Sequence, residues 1–136
     1  MWLPAGGHCE PNEDPVQAAL REALEETGYA VVIIPPPGLL ALTEPGPLVV
    51  APPEVILIED IEQPGQPMHQ HIDHIYFARV VAGGIDFSAP IPAGPHRWVT
   101  RMELASAFSL PAPDGTLVPV AEDIRLLGIR AIDALE

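Results

Sequence analysis

The chain contains no lysine, only one cysteine and few aromatic residues, which make up 5% of its 136 residues. Its 6 basic residues, all arginines, are outnumbered by 19 acidic ones. The formal net charge of −13 excludes polymeric nucleic acid as a partner, because the phosphate backbone would be repelled. The single Cys9 cannot form an internal disulfide, which predicts a reducing, cytoplasmic environment. No apolar run approaches the ~18 residues needed to cross a bilayer, and we expect no membrane partner.

The chain is rich instead in aliphatic residues, which form short runs between prolines. A hydrophobic content of 48% can bury one core, so residues 1–136 are predicted to form one domain. Periodicity and turn residues predict helices over 15–27, 102–108 and 119–135, and strands over 29–34, 39–43, 54–61, 69–81 and 96–100. Asp14 suits an N-cap, Pro15 the first helical position and Gly28 the helix stop. This order predicts an α/β fold with a mixed β-sheet between helices.

Three glutamates, Glu22, Glu25 and Glu26, lie within an arc of roughly 100° on the first predicted helix, opposite its aliphatic face. Like charges at this spacing cost about a few tenths of a kcal/mol per pair, and the helix dipole disfavours them near the C-terminal end. A bound Mg²⁺ or Mn²⁺ ion, which prefers oxygen ligands, would make this cluster of negative charges favourable. Arg21 can orient a carboxylate, and Glu13 is its natural partner. A solvated acidic helix face is the alternative, and it is the more frequent one for a bare Glu-x-x-Glu-Glu pattern.

The spacing of the remaining residues resembles a known motif. Gly7 is followed by five residues and Glu13, then by seven residues and Arg21-Glu22-Ala23, one residue, Glu25-Glu26, one residue and Gly28-Tyr29. This is a complete match to the Nudix box. The preceding Trp2-Leu3-Pro4-Ala5-Gly6-Gly7 also resembles the segment that enters the box in Nudix hydrolases, and the later predicted elements stand in the usual order. No subfamily is assigned.

The resemblance implies an α/β/α Nudix fold and hydrolysis of a nucleoside diphosphate linked to another moiety, with Mg²⁺ or Mn²⁺ as the cofactor. It implies catalytic roles for Arg21, Glu22, Glu25 and Glu26, metal ligation by these three glutamates and the Gly6 carbonyl, and structural roles for Gly7, Glu13 and Gly28. Glu25 is either a further ligand or the base that activates water, and Glu13 anchors Arg21. The expected partner is a small nucleoside diphosphate derivative.

One departure from the Nudix pattern lies before the box, where this chain has six residues. Nudix domains usually carry sheet strands there, so the N-terminal strands are expected to be short or missing. An uncovered sheet edge invites pairing, and we therefore expect a homodimer. The alternative to an active hydrolase is a Nudix-fold module that binds a nucleotide without turnover.

A second departure is the loop over residues 88–96, which carries no carboxylate, although many relatives supply a catalytic acid there. Asp60, Asp73 or His96 could take that place, and Asp73 is favoured because on an alternating strand it shares a face with His71. These four residues form the predicted substrate-binding set. The histidines of this predicted strand are not expected to bind zinc together. His71 and His74 point to opposite faces of the strand and cannot ligate one ion jointly.

Overall fold

The computed structural model describes residues 1–42, 46–85 and 96–135 of the chain. Its helices and strands, in chain order, are α1 (Pro15–Thr27), β1 (Tyr29–Ile34), β2 (Val55–Ile61), β3 (His69–Ile75), β4 (Phe77–Ile85), α2 (Arg101–Ala105), β5 (Ser109–Pro111), β6 (Leu117–Pro119) and α3 (Glu122–Asp133). The content of helices and strands agrees with the predicted α/β class. Among the described residues, no helix is long and apolar enough to span a membrane.

Helix α1 begins and ends where the sequence predicts. The Asp14 carboxylate accepts hydrogen bonds from the backbone N–H groups of Val16 and Gln17, both at 2.9 Å, and the Gln17 side chain accepts from the Asp14 N–H. This reciprocal capping box satisfies N–H groups that a helix start leaves unpaired. At the other end Gly28 adopts φ 74° and donates to the Leu24 carbonyl at 2.8 Å. That left-handed conformation favours glycine, so both ends of the helix are fixed locally.

The strands of the described residues pair as β1 with β4, β2 with β3 and β5 with β6, each pair being antiparallel. No parallel pair of the predicted mixed sheet is present in this part of the chain. The single strand predicted over 69–81 is wrong, because it is interrupted at Tyr76. Its two halves pair with different partners, so the chain leaves one ladder before it joins the other. β4 also continues past residue 81, where the predicted strand ends, since Ile85 pairs with Tyr29.

Two other predicted strands do not form as expected. Residues 39–42 and 96–100 are not in strands, and Thr43, the end of the first of these predictions, lies outside the described residues. The prolines around the first segment remove the backbone donors that a ladder needs. The hairpin of β5 and β6 is not among the predicted elements, and Pro119, the predicted start of the last helix, instead ends β6, so that α3 begins at Glu122.

The buried apolar side chains lie where helices and strands meet. Among the described residues they are Ala18, Phe77, Leu104, Leu110 and Val120. The small Ala18 lies on α1, which packs against β1, and this contact turns the opposite, acidic side of the helix away from the core. Gly128 lets α3 approach α2, because a Cβ there would lie 2.9 Å from Leu104 Cδ1.

The β2–β3 pair has two chemically different faces. On one face His71 and Asp73 are half-buried. The other face carries the isoleucine patch, which consists of Ile56, Ile58 and Ile72 and is exposed, with Ile58 at 66%. Ile58 and Ile72 are cross-strand partners, so the exposed apolar surface spans both strands.

Candidate active site

The turn at Gly6 and Gly7 lies directly against two carboxylates of α1. The Gly6 N–H donates a hydrogen bond to Glu26 Oε2 at 3.0 Å. A Cβ at Gly7 would overlap the Glu22 carboxylate, whose carbon would be only 2.5 Å away. A larger residue at position 7 would force the Glu22 carboxylate to move, so glycine is the residue that fits this contact as it stands. Two glutamates one helical turn apart thus contact the same turn of backbone.

Arg21 ties the loop that follows this turn to helix α1. Its Nε and Nη2 donate to the two carboxylate oxygens of Glu13 at 2.9 and 3.0 Å, a bidentate pairing. Nη1 donates to Glu22 Oε1 at 2.7 Å and, over a longer distance of 3.3 Å, to Glu25 Oε2. Nη2 also donates to the His8 backbone carbonyl at 3.0 Å. This geometry agrees with the predicted pairing of Arg21 with Glu13 and with the helix glutamates.

Glu13 lies at the end of this loop, directly before the helix cap Asp14, and its side chain is only 14% exposed. It accepts from Arg21 and from the Glu10 N–H, which is 2.9 Å away. These hydrogen bonds, that of Arg21 first, lower the pKa of Glu13 from its usual 4.5. Conversely, hydrogen bonds to Glu13 and Glu22 raise the pKa of Arg21, which keeps its charge. The clamp therefore consists of permanently charged partners at neutral pH.

The three helix glutamates do not converge on one point. Within residues 1–42, 46–85 and 96–135, no three His, Cys, Asp or Glu side chains form a group that could hold a metal ion. Each carboxylate has a protein donor instead, Arg21 for Glu22 and Glu25, and the Gly6 N–H for Glu26. These donors keep like charges apart. The chemistry of the set still suits a hard divalent cation, because it consists of carboxylates beside a turn whose backbone carbonyl is exposed.

A comparison with models of protein families matches the NUDIX domain over residues 1–120. The chain belongs to the Nudix family. The matched range contains the glycine turn, the Arg21 clamp and α1, and it continues through β6. The resemblance in the Nudix box and the predicted fold class are thereby confirmed.

A solved structure of a NUDIX family hydrolase from Clostridium perfringens is similar to this chain. The two share 27% sequence identity with a TM-score of 0.68, and the alignment covers 98% of this chain and 81% of that one. A comparison with curated proteins gives no match. The family and the solved relative together support a Nudix-type hydrolase.

The predicted substrate-binding residues of this Nudix chain lie in different places. His71 and Asp73 are on the half-buried face of β3, and the His71 ring contacts the His8 ring with centroids 5.5 Å apart. Asp60 is on the opposite face of the β2–β3 pair and accepts a hydrogen bond from Gln70 Nε2 at 2.8 Å. The fold therefore brings His71 to the loop of the Nudix box, places Asp73 on the same face of β3 and turns Asp60 to the opposite face.

His96 lies at a third place, beside a cavity of about 380 Å³ that Trp2 and Arg97 also line. The Trp2 indole N–H donates to the Pro111 carbonyl at 3.2 Å and so holds the N-terminal segment against β5. The rest of the loop before His96, residues 88–95, lies outside the described residues. The expectation that a residue elsewhere replaces the acid missing from that loop stays a prediction.

The predicted set of site residues omits two residues of this region: His8, in the loop of the Nudix box, and Tyr76, near Asp14 and Cys9 of that loop. Tyr76 follows β3, and its pKa is raised chiefly by burial, with smaller contributions from Asp14 and Cys9 of the loop. His8 occupies a position that the motif leaves unspecified. No local pattern marks either residue, and only their tertiary contacts identify them.

Replacing Glu13 by glutamine should lower the free energy of unfolding near neutral pH. It should also make that free energy fall less as the pH is lowered. Because the folded-state pKa of Glu13 is lowered, its contribution is present above its usual pKa of 4.5 and is lost as the pH falls through the folded-state value. Urea-unfolding midpoints of wild type and Glu13→Gln should therefore differ at about pH 7 and converge toward about pH 3.

Glu62→Gln is the matched control for this experiment, because Glu62 is exposed in the loop between β2 and β3. Its midpoint should follow that of the wild type at both pH values. A difference between wild type and Glu13→Gln that does not change with pH would contradict the role given to the Glu13 carboxylate.

Proposed function

We propose that this chain is a pyrophosphohydrolase that cleaves the diphosphate linkage of a nucleoside diphosphate derivative, with Mg²⁺ or Mn²⁺ as the cofactor. The observation that carries the proposal is the contact of Glu22 and Glu26 with the turn at Gly6 and Gly7. A solvated acidic helix face would have no need of a glycine that admits a carboxylate, nor of an arginine clamp behind it.

The residues that would hold the cation are Glu22, Glu26 and the Gly6 carbonyl, whereas Glu25 is either a further ligand or the base that activates water. Members of the Nudix family generally use divalent metal ions, and oxygen donors of this kind suit such ions. When bound, the cation would neutralise charge on the diphosphate and lower the pKa of a coordinated water. The exposed Glu26 carboxylate accepts from the Gly6 N–H through Oε2, and its other oxygen, Oε1, would be available to the ion.

Glu25 is the carboxylate of the three that best suits a general base. Its side chain is 60% exposed, and its contact with Arg21 at 3.3 Å is the longest of the clamp. In this role it takes a proton from the attacking water as the water oxygen bonds to phosphorus. The bridging P–O bond breaks, and its electron pair leaves with the departing phosphate.

Arg21 and Glu13 act as positioning residues in this proposal. The bidentate pairing fixes the guanidinium plane, so that Nη1 is directed at Glu22 and Glu25 while Nη2 holds the backbone of the loop. Hydrogen bonds to ionised groups are stronger than neutral ones, which suits a clamp that must resist the repulsion of its glutamates.

A nucleotide-binding module without turnover is the second candidate. It is favoured by the separate protein donors of the three glutamates in the described structure, an arrangement that needs rearrangement before a cation is ligated. The two functions differ in whether product forms, so one activity measurement separates them.

The activity measurement is release of phosphate, pyrophosphate or nucleotide from nucleotide sugars, ADP-ribose, dinucleoside polyphosphates and nucleoside triphosphates, with Mg²⁺ or Mn²⁺. We expect at least one substrate to be hydrolysed, and Glu26→Gln to lower kcat by about 100-fold or more, because the amide cannot replace a charged ligand. Removing the cation with a chelator should abolish turnover.

Glu62→Gln makes the same change of charge at an exposed position outside the Nudix box and should retain wild-type activity. Equal rates for wild type and Glu26→Gln would overturn the catalytic assignment of α1. Binding of nucleotides without product from any of them would favour the second candidate.

We also propose that two copies of the chain form a homodimer through the isoleucine patch. The patch belongs to a sheet face on which Asp60 and His74 are the ionisable residues, so it is poor in charge although the chain carries a net charge of −13. A second copy can offer the same apolar surface, as two-fold dimers require. Exposed apolar patches commonly mark such interfaces.

Light scattering after gel filtration tests the dimer. The wild type should have twice the 14.5 kDa mass of the chain, and the double variant Ile58→Glu/Ile72→Glu should have the mass of one chain. Leu117→Glu, at an exposed position of β6, is the control and should stay dimeric. A monomeric wild type, or a dimeric double variant, would contradict the proposal.

A further inference from the structure

Three imidazole rings form a row beside the turn of the Nudix box. The His8 ring meets the His71 ring edge-on, with centroids 5.5 Å apart and planes at 82°. The His71 ring meets the His69 ring at 5.3 Å and 56°. No two of these adjacent rings are parallel, so the row does not present a continuous flat surface for stacking of a nucleobase.

The row lies across the loop from the helix glutamates. His8 follows Gly7 directly, and its backbone carbonyl accepts from Arg21 while its side chain reaches β3. The same residue therefore contacts the clamp of α1 through its backbone and the half-buried face of β3 through its ring. A ligand bound at the glycine turn would therefore be close both to carboxylates of α1 and to the imidazole of His8.

Two of the three imidazoles have unused hydrogen-bonding capacity. His69 Nδ1 pairs with the Pro67 carbonyl at 3.2 Å, which gives this ring a structural partner. Neither His8 nor His71 has a side-chain hydrogen bond to any other described residue, in 1–42, 46–85 or 96–135. His71 is nevertheless half-buried. A half-buried polar ring without a protein partner is available to a ligand.

The positions of the arginines also favour the histidines as hydrogen-bond donors to a ligand. The six basic residues of the sequence are arginines, and they are Arg21, Arg79, Arg97, Arg101, Arg125 and Arg130. Arg21 is engaged by the box glutamates, while Arg97 pairs with Glu103 and Arg101 with Asp133. The remaining three lie on β4 and α3. Among the described residues, the imidazoles of this row are therefore side chains that can donate to an anion beside the turn without first leaving a carboxylate.

We propose that His8 and His71 donate imidazole N–H hydrogen bonds to phosphate oxygens of the diphosphate substrate bound at the glycine turn. This inference rests on the proposed function for the identity of the ligand. It adds a protein contact to the diphosphate that the Nudix box does not contain, and it assigns the two histidines to the phosphates and not to the base.

The probe that tests it is methylenediphosphonate, a diphosphate analogue without a nucleoside, added to the full chain in the presence of Mg²⁺. Calorimetry should detect binding to the wild type, and His8→Ala and His71→Ala should each weaken it by about tenfold. His71→Gln keeps an N–H donor and should restore affinity to within about threefold of the wild type. His74→Ala, on the exposed face of β3, is the control and should bind like the wild type.

Imidazole ¹⁵N signals of the wild type supply a readout that a purely structural role would not move. The signals of His8 and His71 should shift on addition of the probe, and that of His74 should not. The inference is overturned if the probe does not bind, if the two alanine variants bind like His74→Ala, or if His71→Gln is as weak as His71→Ala. Because the probe cannot be hydrolysed, these outcomes are independent of whether the chain turns over a nucleotide.

Discussion

The bidentate ion pair between Arg21 and Glu13 is the interaction on which the rest of the site depends. Helix α1 carries glutamates whose mutual repulsion favours separation, and the loop before it has little apolar surface to fix its position. One guanidinium corrects both problems, because it binds Glu13 and His8 of the loop and Glu22 of the helix at 2.7–3.0 Å. The glycine turn and the carboxylates are held in one arrangement for this reason.

The helix ends, the glycine turn and strand β3 fix the position of this ion pair. The capping box at Asp14 and the left-handed Gly28 fix the ends of α1, and hence the direction of each glutamate around the helix. Gly7 removes the only side chain that would keep the backbone away from Glu22. On the other side of the loop, the half-buried face of β3 supplies His71, which contacts His8. The site is thus assembled from a helix, a turn and one strand.

The sequence predicts those parts of the site that depend on residues close together in the chain. α1 has a cap, a proline and a terminal glycine at the required positions, and the pairing of Arg21 with Glu13 follows from fixed spacing in the Nudix box. The break at Tyr76 has no local signal, since a continuous strand-like pattern crosses it and only the exchange of pairing partners requires it. The contact of His8 with His71 joins distant segments and could not be read from either.

The alternation of side chains between the two faces of a strand explains why the predicted substrate-binding residues do not all lie on one face. Alternation along β3 correctly groups Asp73 with His71, because both belong to one strand. The face on which Asp60 lies depends instead on the register between β2 and β3, where Asp60 is paired with Gln70 and Glu59 with His71. A shift of one residue would exchange the two faces, and hydrophobic pattern does not fix this register because isoleucines occupy the exposed face.

The central claim is that the α1 glutamates beside the glycine turn bind a divalent cation, and Mn²⁺ titration followed by electron paramagnetic resonance tests it most directly. Wild type should remove Mn²⁺ from the free pool with a saturable site, and the triple variant Glu22→Gln/Glu25→Gln/Glu26→Gln should lose that site. The triple variant Glu54→Gln/Glu62→Gln/Glu122→Gln has the same net charge and should keep it, which separates a specific site from general attraction to an acidic chain. Equal Mn²⁺ binding by the two triple variants, or no saturable binding by the wild type, would contradict the account.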